Sequence, residues 1–292
     1  MTRGKWLAPA ALSLGFAVLM MAAITDQAKA QDAKCEPDKI ATKYPSLANK
    51  TIKMATDAES PPYSFRDPKD FNNVIGIDVD MARAAFKCIG AKMDLSIGAW
   101  SGLLPSVIAD QNDLMWDDLY YTAERAKQVD YVTYMVAGTG GMVRKGNPKN
   151  IHSFADLCGL TGAAGLGTVE EAALRDQSKK CVADGKKEIS ILTYPDMSSG
   201  ARLIQNDRAD VMVTDLGVVD QLSNDNPTLY ERAIKVVSDF RIGVAVKKGN
   251  KDLLTAIYDA LTVMNKNGDE KNVYATYKVD PSLIVTPTIM TK

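Results

Sequence analysis

Tyr121-Thr122-Ala123-Glu124-Arg125-Ala126-Lys127-Gln128-Val129-Asp130-Tyr131 follows an apolar, strand-like Leu114-Met115-Trp116 whose mouth carries Asp117 and Asp118. Thr122 can cap a short helix there, and Glu124 suits the positive end of that helix. Arg125 then stands on the first turn beside a strand end, where open sheets place their ligands. A guanidinium held in that way is a fork for a carboxylate. It can equally be a solvated helix residue, and spacing alone leaves both readings open.

Working outward, residues 51–55 read as a short strand and residues 79–89 as a helix ended by Gly90. A strand at 93–97 and a helix at 103–109 follow. This alternation predicts an α/β chain with a parallel sheet wound by helices. The composition is globular: 46% hydrophobic, 24% charged, net charge −1. A near-neutral chain argues against a nucleic-acid partner. Arg3 and Lys5, an apolar run over 7–24 and Ala28-Lys29-Ala30 before Gln31 form an export signal. Residues 1–30 are expected to be removed and the remainder to act in the periplasm, although the apolar run approaches the length of a membrane anchor.

Seven blocks in order resemble the periplasmic amino-acid-binding proteins of ABC importers, the family 3 extracellular solute-binding proteins. Thr122-x-Glu124-Arg125-x-x-x-Val129-Asp130-Tyr131 is similar to that family's TxERxxxVDF. Ile52 to Asp57 with Pro61-Pro62-Tyr63-Ser64-Phe65, Gly76-Ile77-Asp78-Val79-Asp80-Met81-Ala82 and Trp100-Ser101-Gly102-Leu103-Leu104-Pro105 match the earlier blocks. Gly165-Leu166-Gly167-Thr168, Ala209-Asp210-Val211-Met212-Val213-Thr214-Asp215 and the stretch from Ile242 to Gly249 match the later ones. The resemblance covers about residues 50–278. It implies a type II periplasmic-binding fold, two lobes each with a wound sheet and helices on both faces, joined by two hinge crossings.

Gly138, Gly140 and Gly141 would weaken a strand interior, so 134–143 is read as the first crossing and 239–243 as the return. The expected division is 31–138 for the first lobe, 139–239 for the second and 240–292 for the return segment, with a terminal helix and a loosely held tail over 273–292. All four cysteines lie beyond the export signal, and an oxidising compartment favours pairing. Metal ligation is a poor rival, because no C-x-x-C occurs and His152 is the only histidine. Pairing within lobes gives Cys35–Cys88 and Cys158–Cys181, a connectivity that spacing does not prove.

The resemblance also implies the site. The glycine turn at Gly165-Leu166-Gly167-Thr168 opens a helix whose free N–H groups favour an anion, or it is a plain cap. In the family the threonine, here Thr168, faces the ligand carboxylate opposite Arg125. Asp215 pairs with the ligand's ammonium, caps a helix, or does both. Asp57 and Glu59 follow the first strand, and Trp100 either stacks on the ligand or packs in the core. The chain departs from the family pattern at Asp118 and Tyr120, where small or hydroxyl residues are usual. With Asp57, Glu59, Asp118 and Asp215 facing one arginine, the expected ligand is one whose positive charge matters more than its negative charge. Trp100 and Tyr120 then offer it aromatic faces.

The resulting expectation is a monomeric solute-binding protein feeding an inner-membrane ABC permease, with no cofactor, metal or chemistry of its own. Two alternatives remain. One is an exported enzyme resembling cyclohexadienyl dehydratases, with Glu59 or Asp118 as the acid. The other is a sensory or accessory protein that binds the same kind of ligand.

Overall fold

The computed structural model describes Met1 and residues 34–291. Apart from Met1, the expected export signal and the expected cleavage point after Ala30 lie outside the described residues. In chain order the elements are α1 (Ile40–Lys43), β1 (Thr51–Thr56), β2 (Glu59–Ser60), β3 (Ser64–Asp67), β4 (Asp70–Ile75), α2 (Ile77–Ile89), β5 (Lys92–Ile97), α3 (Trp100–Ile108), β6 (Leu114–Met115) and β7 (Val129–Arg144). Then come β8 (Thr161–Gly165), α4 (Val169–Ala183), β9 (Ser190–Tyr194), α5 (Met197–Gln205), β10 (Val211–Asp215), α6 (Leu216–Asp225), β11 (Tyr230–Lys247), α7 (Lys251–Asn267), α8 (Asp269–Thr276) and β12 (Ile284–Met290). Among the described residues no helix is long and apolar enough to cross a membrane.

Two long antiparallel strands, β7 and β11, run through both halves of the sheet. They pair from Lys247–Val129 to Arg241–Val136, shift register, then continue from Val237–Gly138 to Tyr230–Arg144. Beyond the first stretch β11 pairs with β6, and β6, β1 and β5 follow in parallel. Beyond the second, β7 pairs with β10, and β10, β8 and β9 follow in parallel. Each half is thus a wound α/β sheet, and both crossings are continuous strand.

The glycine run was expected to interrupt β7, and it does not. A Cβ at Gly138 would stand 2.8 Å from the Val236 carbonyl oxygen, and one at Gly140 would stand 2.8 Å from Val219 Cγ2. The bare backbone lets α6 and β11 close on the strand, which explains glycine in a strand interior.

Helix α2 buries Ile77, Met81, Ala82, Ala85, Phe86 and Ile89 at helical spacing. It ends at Gly90, whose φ of +77° favours glycine. Its buried face joins Ile52 and Met54 of β1 and Leu253, Ile257, Leu261 and Met264 of α7 in one core. The other half has a core of its own, with Leu174 of α4 against Ala164, Val211, Val213 and Ile234. Cys35 bonds to Cys88 and Cys158 to Cys181, the pairing within halves that the sequence favoured.

Both ends pack against the first half, and the C-terminal one departs from expectation. The N-terminal segment is packed, with Tyr44 and Leu47 buried in the first core. The tail is a strand: β12 pairs antiparallel with β7, from Ile284–Met135 to Met290–Tyr131. Its β-branched Ile-Val-Thr-x-Thr-Ile run suits a sheet edge, where Pro287 is tolerated.

Candidate functional site

A cleft between the halves holds about 570 Å³ of empty space, part of it open to solvent. One wall carries Asp57, Trp100, Asp118, Tyr120 and Arg125; the other carries Thr168, Glu170, Tyr194, Asp196 and Asp215. Seven of the eight ligand residues expected from the sequence line it. Glu59 is exposed and does not.

Arg125 opens a single 3-10 turn, Arg125–Lys127, rather than an α-helix. The Thr122 hydroxyl accepts the Arg125 N–H at 3.1 Å, as a cap should. One guanidinium nitrogen donates to the Tyr120 carbonyl at 2.9 Å, and the other crosses the cleft to the Gly167 carbonyl at 3.2 Å. The group lies 5.4 Å over the Trp100 ring. Burial lowers its pKa, while the Glu170 and Asp118 carboxylates act in the opposite direction. Trp100 therefore offers its face to Arg125, and its other contacts are to the core around Leu103 and Val107.

The adjacent acids at the mouth of β6 point opposite ways. Asp117 turns inward and accepts from the Thr56 hydroxyl at 2.9 Å and the Asp57 N–H at 3.1 Å. Asp118 sits at φ +45°, its N–H donating to Asp78 Oδ2 at 2.6 Å. Asp78 in turn takes the Tyr134 hydroxyl. The Asp118 side chain caps nothing, and its Oδ1 is buried without a hydrogen-bond partner. Burial, then the charges of Asp215, Asp78 and Glu170, pushes its carboxyl well above the usual range.

Asp215 ends β10 and caps α6, accepting the Gly217 N–H at 2.7 Å. Its two oxygens also take the Tyr63 hydroxyl at 2.7 Å and the Tyr120 hydroxyl at 2.8 Å. Burial raises its pKa, and the two phenols work against that rise. Tyr120 is thus no aromatic face for a ligand: its ring is buried, edge-on to Phe240 at 6.0 Å, and its hydroxyl is committed to Asp215 and Gly138.

Thr168 lines the cleft and takes the cap role, one of the two readings left open for the glycine turn. It is the N-cap of α4, accepting the Glu171 N–H at 3.2 Å and donating to the Gly165 carbonyl at 3.0 Å. Asp57 turns onto its own loop, taking the Glu59 N–H at 2.8 Å and the Ser60 hydroxyl at 2.6 Å. Burial lifts Asp57 to about 6.

Two residues that the sequence reading passed over belong here. Tyr63 was only part of a loop motif, yet it holds Asp215. Glu170, the second residue of α4, is 4% exposed and lines the cleft. Burial lifts it to about 7, with Asp215 adding to the rise. An acid two residues beyond the threonine of the glycine turn was the available signal.

Two wound halves joined by a double crossing, with an arginine on one wall and capped helix N-termini on the other, define a two-lobed binding protein of the type II periplasmic class. Residues 52–280 match the bacterial extracellular solute-binding proteins, family 3, and the chain belongs to that family. The L-cystine-binding protein TcyJ of Escherichia coli is 30% identical over 220 residues, 75% of this chain and 79% of its own. An ancestral arginine-binding protein, solved with arginine, gives a TM-score of 0.72 at 28% identity, over 78% of this chain and 97% of its own. The structure of an ancestral arginine-binding protein bound to glutamine gives 0.70 at 30% identity, over 79% and 98%.

Proposed function

We propose that this chain captures a small amino-acid-like or cationic solute between its lobes in the periplasm and delivers it, as a monomer, to an inner-membrane ABC permease. The lobes are residues 31–138 with 240–292, and residues 139–239. The observation that carries this reading is the reach of Arg125 across the cleft to Gly167, which makes the ligand-facing arginine part of the closed contact between lobes. Binding would then shift an open–closed equilibrium toward the form a permease recognises. The names of the relatives, which bind cystine and arginine, support a solute of amino-acid size.

The chain has no chemistry of its own in this reading. The dehydratase alternative used Glu59 or Asp118 as the acid, and Glu59 stands outside the cleft lining. A thermal-shift screen of amino acids, amines and betaines tests the proposal. A ligand at a hundred times its dissociation constant should add about 2.7 kcal/mol of stability. Turnover of a cyclohexadienyl substrate, with no compound stabilising the protein, would overturn it.

A further inference from the structure

Among the described residues, five carboxylates line the cleft against a single cationic side chain, Arg125. Three of them are occupied. Asp57 holds its own loop, Asp196 accepts the Ser199 N–H and hydroxyl, both at 2.7 Å, and Asp215 holds Tyr63, Tyr120 and Gly217. The other two each keep one buried oxygen with no hydrogen-bond partner, Oδ1 of Asp118 and Oε1 of Glu170. They stand on opposite walls. Tyr194 supplies the one other such atom in the lining, its hydroxyl.

We infer that Asp118 and Glu170 form a cation site, their free oxygens receiving one positively charged nitrogen of the solute as the lobes close. This rests on the solute-binding reading and narrows its ligand to a small organic compound of net positive charge. An unpartnered buried carboxylate oxygen is costly, and a cation entering between two of them removes that cost on both walls at once. The aromatic faces offer a cation less, because Arg125 already covers one face of Trp100 and Tyr120 is buried with its hydroxyl committed. No three of the described His, Cys, Asp and Glu residues gather to hold a metal ion, and a two-carboxylate site suits an organic ammonium or guanidinium. The carboxylate end of the cleft is correspondingly weak. Arg125 already donates to two carbonyls and the Thr168 hydroxyl is spent on its helix. A solute with no carboxylate is therefore admitted.

Calorimetry with three probes tests this: agmatine, which is dicationic and lacks a carboxylate, L-arginine, and the neutral zwitterion L-glutamine. Agmatine and L-arginine should each bind at least about tenfold tighter than L-glutamine at neutral pH. Glu170→Gln and Asp118→Asn should each weaken both cationic probes about tenfold or more. Both substitutions are near-isosteric, and asparagine tolerates the left-handed backbone at position 118. Melting curves confirm the fold of each variant. L-Glutamine binding as tightly as L-arginine, cationic affinities unmoved by Glu170→Gln, or no binding of either cationic probe at millimolar concentration would each overturn the cation site. A stabilising neutral compound in the thermal-shift screen would then leave the solute-binding reading standing.

Discussion

The Tyr120 hydroxyl lies 2.8 Å from Asp215 Oδ2 and 3.0 Å from the Gly138 carbonyl, joining the loop after β6 to the N-terminus of α6 and to the crossing strand β7. Tyr63 reaches the other Asp215 oxygen at 2.7 Å. The acid that the family resemblance reserves for a ligand ammonium is thus held by two of the chain's own phenols. Tyr120→Phe should leave Asp215 short of one donor in a buried setting and lower stability by about 1–3 kcal/mol. Urea denaturation of Tyr120→Phe, Tyr63→Phe and the double variant measures this. Unchanged midpoints in all three would show that the phenols do not support Asp215 in solution.

Arg125→Ala should weaken a solute that carries a carboxylate, such as L-arginine, far more than it weakens agmatine, while the fold persists. Removing one side of a desolvated charged contact typically costs several kcal/mol, on the order of a thousandfold in affinity. The variant also uncovers Trp100, so a tryptophan emission shift without solute is a second expected readout. Calorimetry that gives unchanged affinity would remove Arg125 from the site.

The alternation of strands and helices was legible because the buried faces of α2 and α7 repeat at helical spacing in the sequence. The extent of β7 and β11 was not. Local propensity reads Gly138, Gly140 and Gly141 as a break, and only the close approach of Val219 and Val236 shows why they are strand. In the site, the family resemblance pointed to Arg125 and Asp215, and the departure from its pattern pointed to Asp118. What sequence could not give was direction: Asp117 and Asp118 are neighbours, yet one holds β1 and the other faces the cleft. Tyr120 lines the cleft as expected, but the commitment of its hydroxyl to Asp215 and Gly138 is not visible in sequence.

Stability without solute should fall as pH rises toward neutrality. Burial lifts Glu170 and Asp78 to about 7 and Asp57 to about 6, all above ordinary carboxylate values. A folded-state pKa above the unfolded one favours the protonated native form, so this stabilisation is complete below about pH 4 and is lost through pH 6–7. The exposed acids with lowered values, such as Asp156, act below that window. Melting temperatures should be higher near pH 5 than near pH 8, and Glu170→Gln should flatten the slope. A melting temperature that rises over this range would contradict the burial of these acids.

The disulfides should contribute unequally. Cys35–Cys88 closes a separation of 53 residues and Cys158–Cys181 one of 23. On the chain-entropy account these correspond to about 4 and about 3 kcal/mol. Paired serine variants should follow that order in denaturant midpoint, with the Cys35–Cys88 variant also releasing the segment that carries Tyr44 and Leu47 to proteolysis. Thiol titration of the unfolded exported protein should find no free cysteine; two or more would reject the pairing.

The last prediction concerns the tail. Among the described residues β12 closes the side of β7 that faces away from β11, and Lys248 secures its end by donating to the Thr291 carbonyl at 2.9 Å. Without β12 the stretch from Tyr131 to Met135 becomes an open edge, with unpaired backbone groups that can template another chain. Truncation after Leu283 should therefore lower the melting temperature and promote association, visible by size-exclusion chromatography. Proline scanning sharpens the test. Successive residues of a paired strand send their N–H groups to opposite sides, so of Thr288→Pro and Ile289→Pro one removes a ladder donor and the other removes a solvent-facing N–H. One variant should be strongly destabilised and its neighbour nearly unaffected. Equal tolerance of both would mean that the tail is not paired to β7 in solution.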